Sequence, residues 1–393
     1  MSGPASSNPL RPTSPMDLTY TTDQKTAEEQ LVEAVEEGNE HKVRMLLLYG
    51  GASPNTVIPG FGKLTILHSA TINGFTNIVS MLLEAGADIA SNKNSRGYTP
   101  LHVAAEKGHA AIVRLLIQHG APLDCVSSVT GRTPLSCAVI NDHAPVVTLL
   151  LEKGANPYFL QKSLDNNESL LHLARDLTII EELLKYGVNP NAVDLCGNTP
   201  LHNIAKFGNI QAATLLLSHG ANISAIDNFG STPLHMASFT GQVGMVDFLL
   251  ANGADPNCVD TRNGSTPLHL CSFHLDTSAA ITESLLKAGA NPNAITSGHK
   301  TTPLYGATDD KHIPMVELLL QAGADVNARD TEGKTFLHKL VINGNYQTGL
   351  AGLTETVLRY GASTTLVDNY GQTPRDYAAG CKCRKMKQLI LEN

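Results

Sequence analysis

Fifteen histidines and seven cysteines in 393 residues are the side chains with the most chemistry to offer, as metal ligands, acid–base groups or nucleophiles. Their placement argues for a different use. His68, His102, His172, His202, His235, His269 and His338 each stand three residues after a Thr or Ser, once per repeated unit, and a residue repeated in this way is expected to be structural. None lies in a His-Glu-x-x-His arrangement. Cys381-Lys382-Cys383 is the one close cysteine pair; without a second Cys or His pair at finger spacing it is read as part of a solvated terminal helix, with a reactive or palmitoylated thiol as the other reading. Cys125, Cys137, Cys196, Cys258 and Cys271 are scattered and are expected to be small fillers. Pro59-Gly60-Phe61-Gly62 followed by Lys63 lacks the spacing of a phosphate loop, and no Gly-x-Ser-x-Gly elbow or kinase signature occurs. The expectation is a non-enzymatic protein with no catalytic residues, metal or cofactor.

Composition narrows the class further. Apolar residues make up 42% and charged residues 16%, too hydrophobic for a disordered chain, and no apolar run approaches the length of a membrane span. Lys plus Arg total 28 against 36 Asp plus Glu, a net charge of −8, so binding to nucleic acid is not expected. Scattered, odd-numbered cysteines and a Met1–Gln24 segment without an apolar stretch point to an intracellular protein, cytoplasmic or nuclear. Residues 1–25, rich in Ser, Thr and Pro, are expected to be a disordered tail.

The positioning elements follow from a period. Thr-Pro-Leu-His begins at Thr99, Thr199, Thr232 and Thr266, with degraded copies at Thr65, Thr133, Ser169, Thr302, Thr335 and Thr373. Successive starts lie 34, 34, 36, 30, 33, 34, 36, 33 and 38 residues apart. Nineteen residues after the motif leucine comes a glycine, as in Leu101 to Gly120, Leu234 to Gly253 and Leu304 to Gly323, and Leu31 to Gly50 adds a first unit near residue 29. In each unit Thr caps a short first helix with Pro in its opening turn. A second helix, over 111–118 in the third unit, ends at a glycine free to turn left-handed. A polar turn then leads to the next Thr-Pro. Neither helix can bury its apolar faces alone, so the units must stack into one solenoid over residues 26–393, with a truncated terminal cap over 373–393. At about 8–10 Å per layer the arc is roughly 100 Å long.

These residues resemble the ankyrin repeat family. Thr99-Pro100-Leu101-His102-Val103-Ala104-Ala105-Glu106-Lys107-Gly108-His109 matches its pattern almost throughout. The resemblance covers residues 26–393. It implies an all-α solenoid of antiparallel helix pairs with projecting β-turn fingers, motif histidines that bridge neighbouring units, and protein recognition on the concave face. Departures mark special layers. The unit at Ser169 is three residues short, that at Leu268 two long, and that at Leu337 five long, including Tyr346-Gln347-Thr348-Gly349.

In the family register, the first-helix positions facing outward read Asn203, Lys206 and Phe207; then Met236, Phe239 and Thr240; then Leu270, Phe273 and His274. Phe207, Met236, Phe239, Leu270 and Phe273 are therefore expected to anchor a protein partner, with Phe229, Arg262, Asn263 and His299 of the fingers as a rim. Asn191, Asn257, Asn293 and Asn327, each eight residues after a leucine, resemble the pattern modified by the asparaginyl hydroxylase that acts on ankyrin arrays. The function expected is a monomeric interaction scaffold or adaptor. One alternative is the substrate-recognition subunit of a ubiquitin ligase, against which the lack of a C-terminal ligase box counts. Another is a nucleotide or oligonucleotide sensor, for which Arg96 with Tyr98 and His299 with Lys300 are thin support.

Overall fold

The computed structural model describes residues 25–60, 64–91, 94–158, 168–307, 309–344, 349–380 and 382–392. The tail Met1–Gln24, Phe61 to Lys63, Tyr346 to Thr348 and Cys381 lie outside these.

Helices follow one another in pairs along the described chain, beginning with Ala27–Glu36 and Glu40–Leu48. First helices pack on first helices of the neighbouring repeats and second helices on second helices, which makes two parallel rows. Repeat 3 shows why. Thr99 caps Pro100–Lys107 with extended backbone, its side chain accepting the His102 N–H. Gly108 ends that helix at φ 73°, a left-handed conformation that suits glycine. Ala110–Gln118 then turns Ile112, Val113 and Leu116 into the core opposite Leu101, Ala104 and Ala105. The small alanines let successive first helices approach closely, and Ala205 and Ala237 do the same in repeats 6 and 7.

The motif histidines fasten these layers. Each Nε2 meets a backbone carbonyl of the next repeat: His68 to Tyr98 at 2.8 Å, His102 to Arg132 at 3.0 Å, His202 to Ser231 at 3.0 Å, His235 to Ser265 at 3.0 Å. In repeat 7 the Thr232 N–H donates to His235 Nδ1, so the neutral ring carries its proton on Nε2 and donates it across the interface. Burial lowers the pKa of His68, His102, His172, His202, His235, His269 and His338, taking His102 down to about 4. The fingers are zipped as well: Asn228 N–H donates to the Cys196 carbonyl, Thr261 to Phe229, Ser297 to Asn263 and Thr331 to His299.

Four layers differ from the regular pattern. In repeat 5 the first helix shrinks to Leu170–Leu173, as its missing residues require. Repeat 8 has a short helix, Pro267–Leu270, that continues as a 3-10 turn over Cys271–Phe273. Repeat 9 has normal length, yet its first helix is replaced by 3-10 turns at Pro303–Gly306 and Asp310–His312. Gly306 and Asp309 are poor helix formers, and the Gly306 backbone lies so close to repeat 8 that an added Cβ would fall 2.3 Å from Ser272 Oγ. The last unit is a full pair, Pro374–Ala379 and Arg384–Glu392, where a truncated cap was expected. There Asp376 replaces the histidine and accepts the Thr373 N–H at 2.8 Å. Met386 and Ile390 face the core while Lys385 carries the exposed side of the closing helix.

Candidate protein-binding face

Phe207, Phe239 and Phe273 are all set near the ends of successive first-helix segments, one per layer. That position lies beyond the core-facing turn, so the rings project from the stack: Phe207 is 70% exposed, Phe239 43% and Phe273 62%. The Phe239 and Phe273 rings are 4.9 Å apart and tilted by 57°, an arrangement aromatic pairs favour. Lys206 Nζ stands 5.8 Å from the centre of the Phe207 ring. Met236 and Leu270 differ from the expectation. Both are half-buried, Met236 packing against the core, because the residue after the motif histidine sits deeper in the turn than the helix end does.

The finger residues fall into two groups. The Arg262 guanidinium lies 4.0 Å from the centre of the Phe229 ring, a cation–π stack joining two fingers. Asn263 borders an open groove at repeats 8 and 9, and His299 borders another beside repeat 10. Exposed β-branched residues at the finger bases escape the motif pattern: Val193, Ile226, Val259 and Ile295 stand in four consecutive fingers, and Val126 and Val367 hold the same slot nearer the two ends of the array. A β-branched residue just before the turn's Asp, Thr or Ser was the readable signal.

Two grooves bracket the aromatic row, at the two repeats whose first helix is most reduced. The one at repeat 5, about 830 Å³, is bordered by His172, Leu173, Arg175, Asp194 and Phe207. The one at repeat 9, about 950 Å³, is bordered by Leu270, Phe273, Thr302, Tyr305, Asp309 and Lys339. Finger and first-helix residues share both grooves, so the two rows belong to one face.

The other candidates have structural duties. Asn191, Asn257, Asn293 and Asn327 each donate through Nδ2 to a glycine carbonyl of the next repeat, at 2.8, 3.0, 2.9 and 3.1 Å, while Oδ1 accepts a backbone N–H there. The leucines eight positions earlier, Leu183, Leu249, Leu285 and Leu319, are fully buried. Tyr98 is also fully buried, and Arg96 pairs with Glu106, so this couple offers no ring for stacking bases. Burial pushes the thiols of Cys271 and Cys137 up to about 11 and about 12, which keeps them protonated fillers. Cys196 is exposed on a finger and is no filler. Among the described residues no group of three His, Cys, Asp or Glu is placed to hold a metal ion, and no helix is long and apolar enough to cross a membrane.

Comparison with known proteins agrees with this architecture. The family described as ankyrin repeats (3 copies) matches residues 31–126, 90–161, 170–260 and 245–330. The chain belongs to the ankyrin repeat family, whose arrays are protein–protein interaction modules. Among solved structures, the human ASB11 ankyrin repeat domain is similar at 26% identity with a TM-score of 0.50, over 57% of this chain and 98% of that one. No curated protein sequence matches the chain.

Proposed function

We propose that this protein is a non-enzymatic scaffold that binds a protein partner on the first-helix and finger face of repeats 5–9. The observation that carries this reading is the row of Phe207, Phe239 and Phe273, exposed in three consecutive layers and continued by Val193, Ile226, Val259 and Ile295 on the fingers. Apolar surface left in water has a free-energy cost of about 25 cal/mol per Å², which a partner relieves by covering it. Aromatic residues clustered in this way are typical centres of interfaces, with Arg262 stacked on Phe229 as a part of the rim. The regular core bonds repeat in every layer, so they supply rigidity, and the irregular face supplies specificity.

Affinity purification of the full chain beside Phe239→Ser/Phe273→Ser, with bound proteins identified by mass, tests the proposal. A shared fold with loss of the same bound protein supports it. Unfolding of the variant, or an unchanged set of bound proteins, counts against it. A cullin among the proteins lost would assign the scaffold to a ubiquitin ligase.

A further inference from the structure

The groove at repeat 9 exists because that layer lacks a regular first helix, leaving open space between repeats 8 and 10. One wall carries Leu270 and Phe273, the end of the aromatic row, and the other carries Lys339 from the first helix of repeat 10. Tyr305 stands where seven other repeats have histidine. Its hydroxyl reaches the Lys334 carbonyl at 2.5 Å, which reproduces the cross-layer bond but leaves the buried Thr302 hydroxyl at the groove without a partner among the described residues.

Lys339 is half-buried, its Nζ donating to the Tyr305 backbone carbonyl and lying 5.4 Å from the centre of the Tyr305 ring. An ammonium has three protons to donate, and this one makes no ion pair among the described residues. The carboxylates around it accept backbone N–H groups and lie beyond ion-pair distance of its Nζ. Asp309 accepts the Lys311 N–H, Asp310 accepts those of Gly352 and Leu353, and Asp330 accepts those of Glu332 and Lys334. His312 lines the groove with its Nε2 against the Ser272 carbonyl at 3.0 Å. Burial lowers the Lys339 pKa, with the more distant Asp330 opposing the shift, so the charged amine gains from a closer anion.

We propose that the repeat 9 groove is a carboxylate subsite, in which Lys339 receives an Asp or Glu side chain from a partner segment whose apolar residues cover Phe239 and Phe273. This rests on the first-helix face being the binding face. The subsite gives the face a direction, with apolar contacts over repeats 6–8 and an acidic contact at repeat 9. A single Lys beside an aromatic pair suits a side-chain carboxylate in an otherwise apolar segment.

A displayed library of random peptides, selected on the full chain, on Lys339→Met and on Phe239→Ser/Phe273→Ser, tests the subsite. Met keeps the aliphatic stem on Tyr305, and circular dichroism melts check that each variant folds. Wild type is expected to select apolar residues with an acidic residue at a fixed spacing. Selection on Lys339→Met keeps the apolar residues and loses the acidic one, while Lys339→Arg keeps both. In synthetic peptides with amidated C-termini, Glu→Gln at that position weakens wild-type binding by roughly tenfold and leaves Lys339→Met binding unchanged. Apolar peptides without an acidic preference, or an equal Glu→Gln effect on both proteins, overturn the subsite alone. No selected peptide, or peptides indifferent to the Phe substitutions, overturn the subsite together with the binding face.

Discussion

At the scale of the residue, histidine is used here as a neutral cross-layer clamp. Protonating Nδ1 of His102 or His235 would turn it against the N–H of Thr99 or Thr232 that it now accepts. Because burial lowers these folded-state pKa values, the unfolded chain binds protons first as pH falls. The stabilisation from neutral histidine is full above the unfolded value near 6.5 and is lost as pH falls through the folded values, which burial takes down to about 4 at His102. Chemical denaturation between pH 7.5 and 4.5 is therefore expected to show a steep fall in stability below about pH 6.5, to which His102 alone contributes about 3 kcal/mol. A flat profile would show that the clamps do not matter. Asn257→Ala removes both bonds it makes to repeat 8, one to the Gly289 carbonyl and one from the Asn291 N–H, and is expected to cost about 1–3 kcal/mol in the same assay. The clamping role of the histidines was legible in their single recurring slot. The half-burial of Met236 and Leu270 was not, since depth within a turn depends on the neighbouring layer.

At the scale of the element, equal spacing in sequence conceals unequal structure. Leu304 and Gly323 keep the nineteen-residue interval of a regular repeat, yet the first helix is lost between them. Gly306 and Asp309 carried the local signal, but the close approach of Ser272 that holds Gly306 is a contact between repeats and has no trace in spacing. Gly306→Ala is expected to destabilise the array by roughly 1–3 kcal/mol, because its Cβ would meet the Ser272 Oγ and Cβ at 2.3 and 2.8 Å. Thermal melts of that variant measure the effect; a neutral result would mean that Ser272 moves aside freely. Hydrogen exchange is expected to be faster over Pro303–Gly306 and Asp310–His312 than over Pro233–Phe239, since 3-10 turns offer fewer and poorer backbone bonds.

At the scale of the whole molecule, stacking makes the fold a sum of neighbour contacts, and this was the most legible property of the sequence. The period, the Thr-Pro caps and the closing glycines repeat often enough to fix the architecture, because each is a local requirement of a turn or helix end. The binding face was read less fully. Phe207, Phe239 and Phe273 were found from their register, and the finger row Val193, Ile226, Val259 and Ile295 carried a sequence signal that the repeat motif does not include, whereas the two bracketing grooves emerge only when layers are stacked. Hydrogen exchange on the full chain with its captured partner bound tests the binding face most directly. Protection is expected to concentrate at the first helices of repeats 6–8 and at the finger segments 193–196, 226–229, 259–263 and 295–299. Protection confined to the second helices, such as Ile210–Ser218 and Val243–Ala251, would contradict the account.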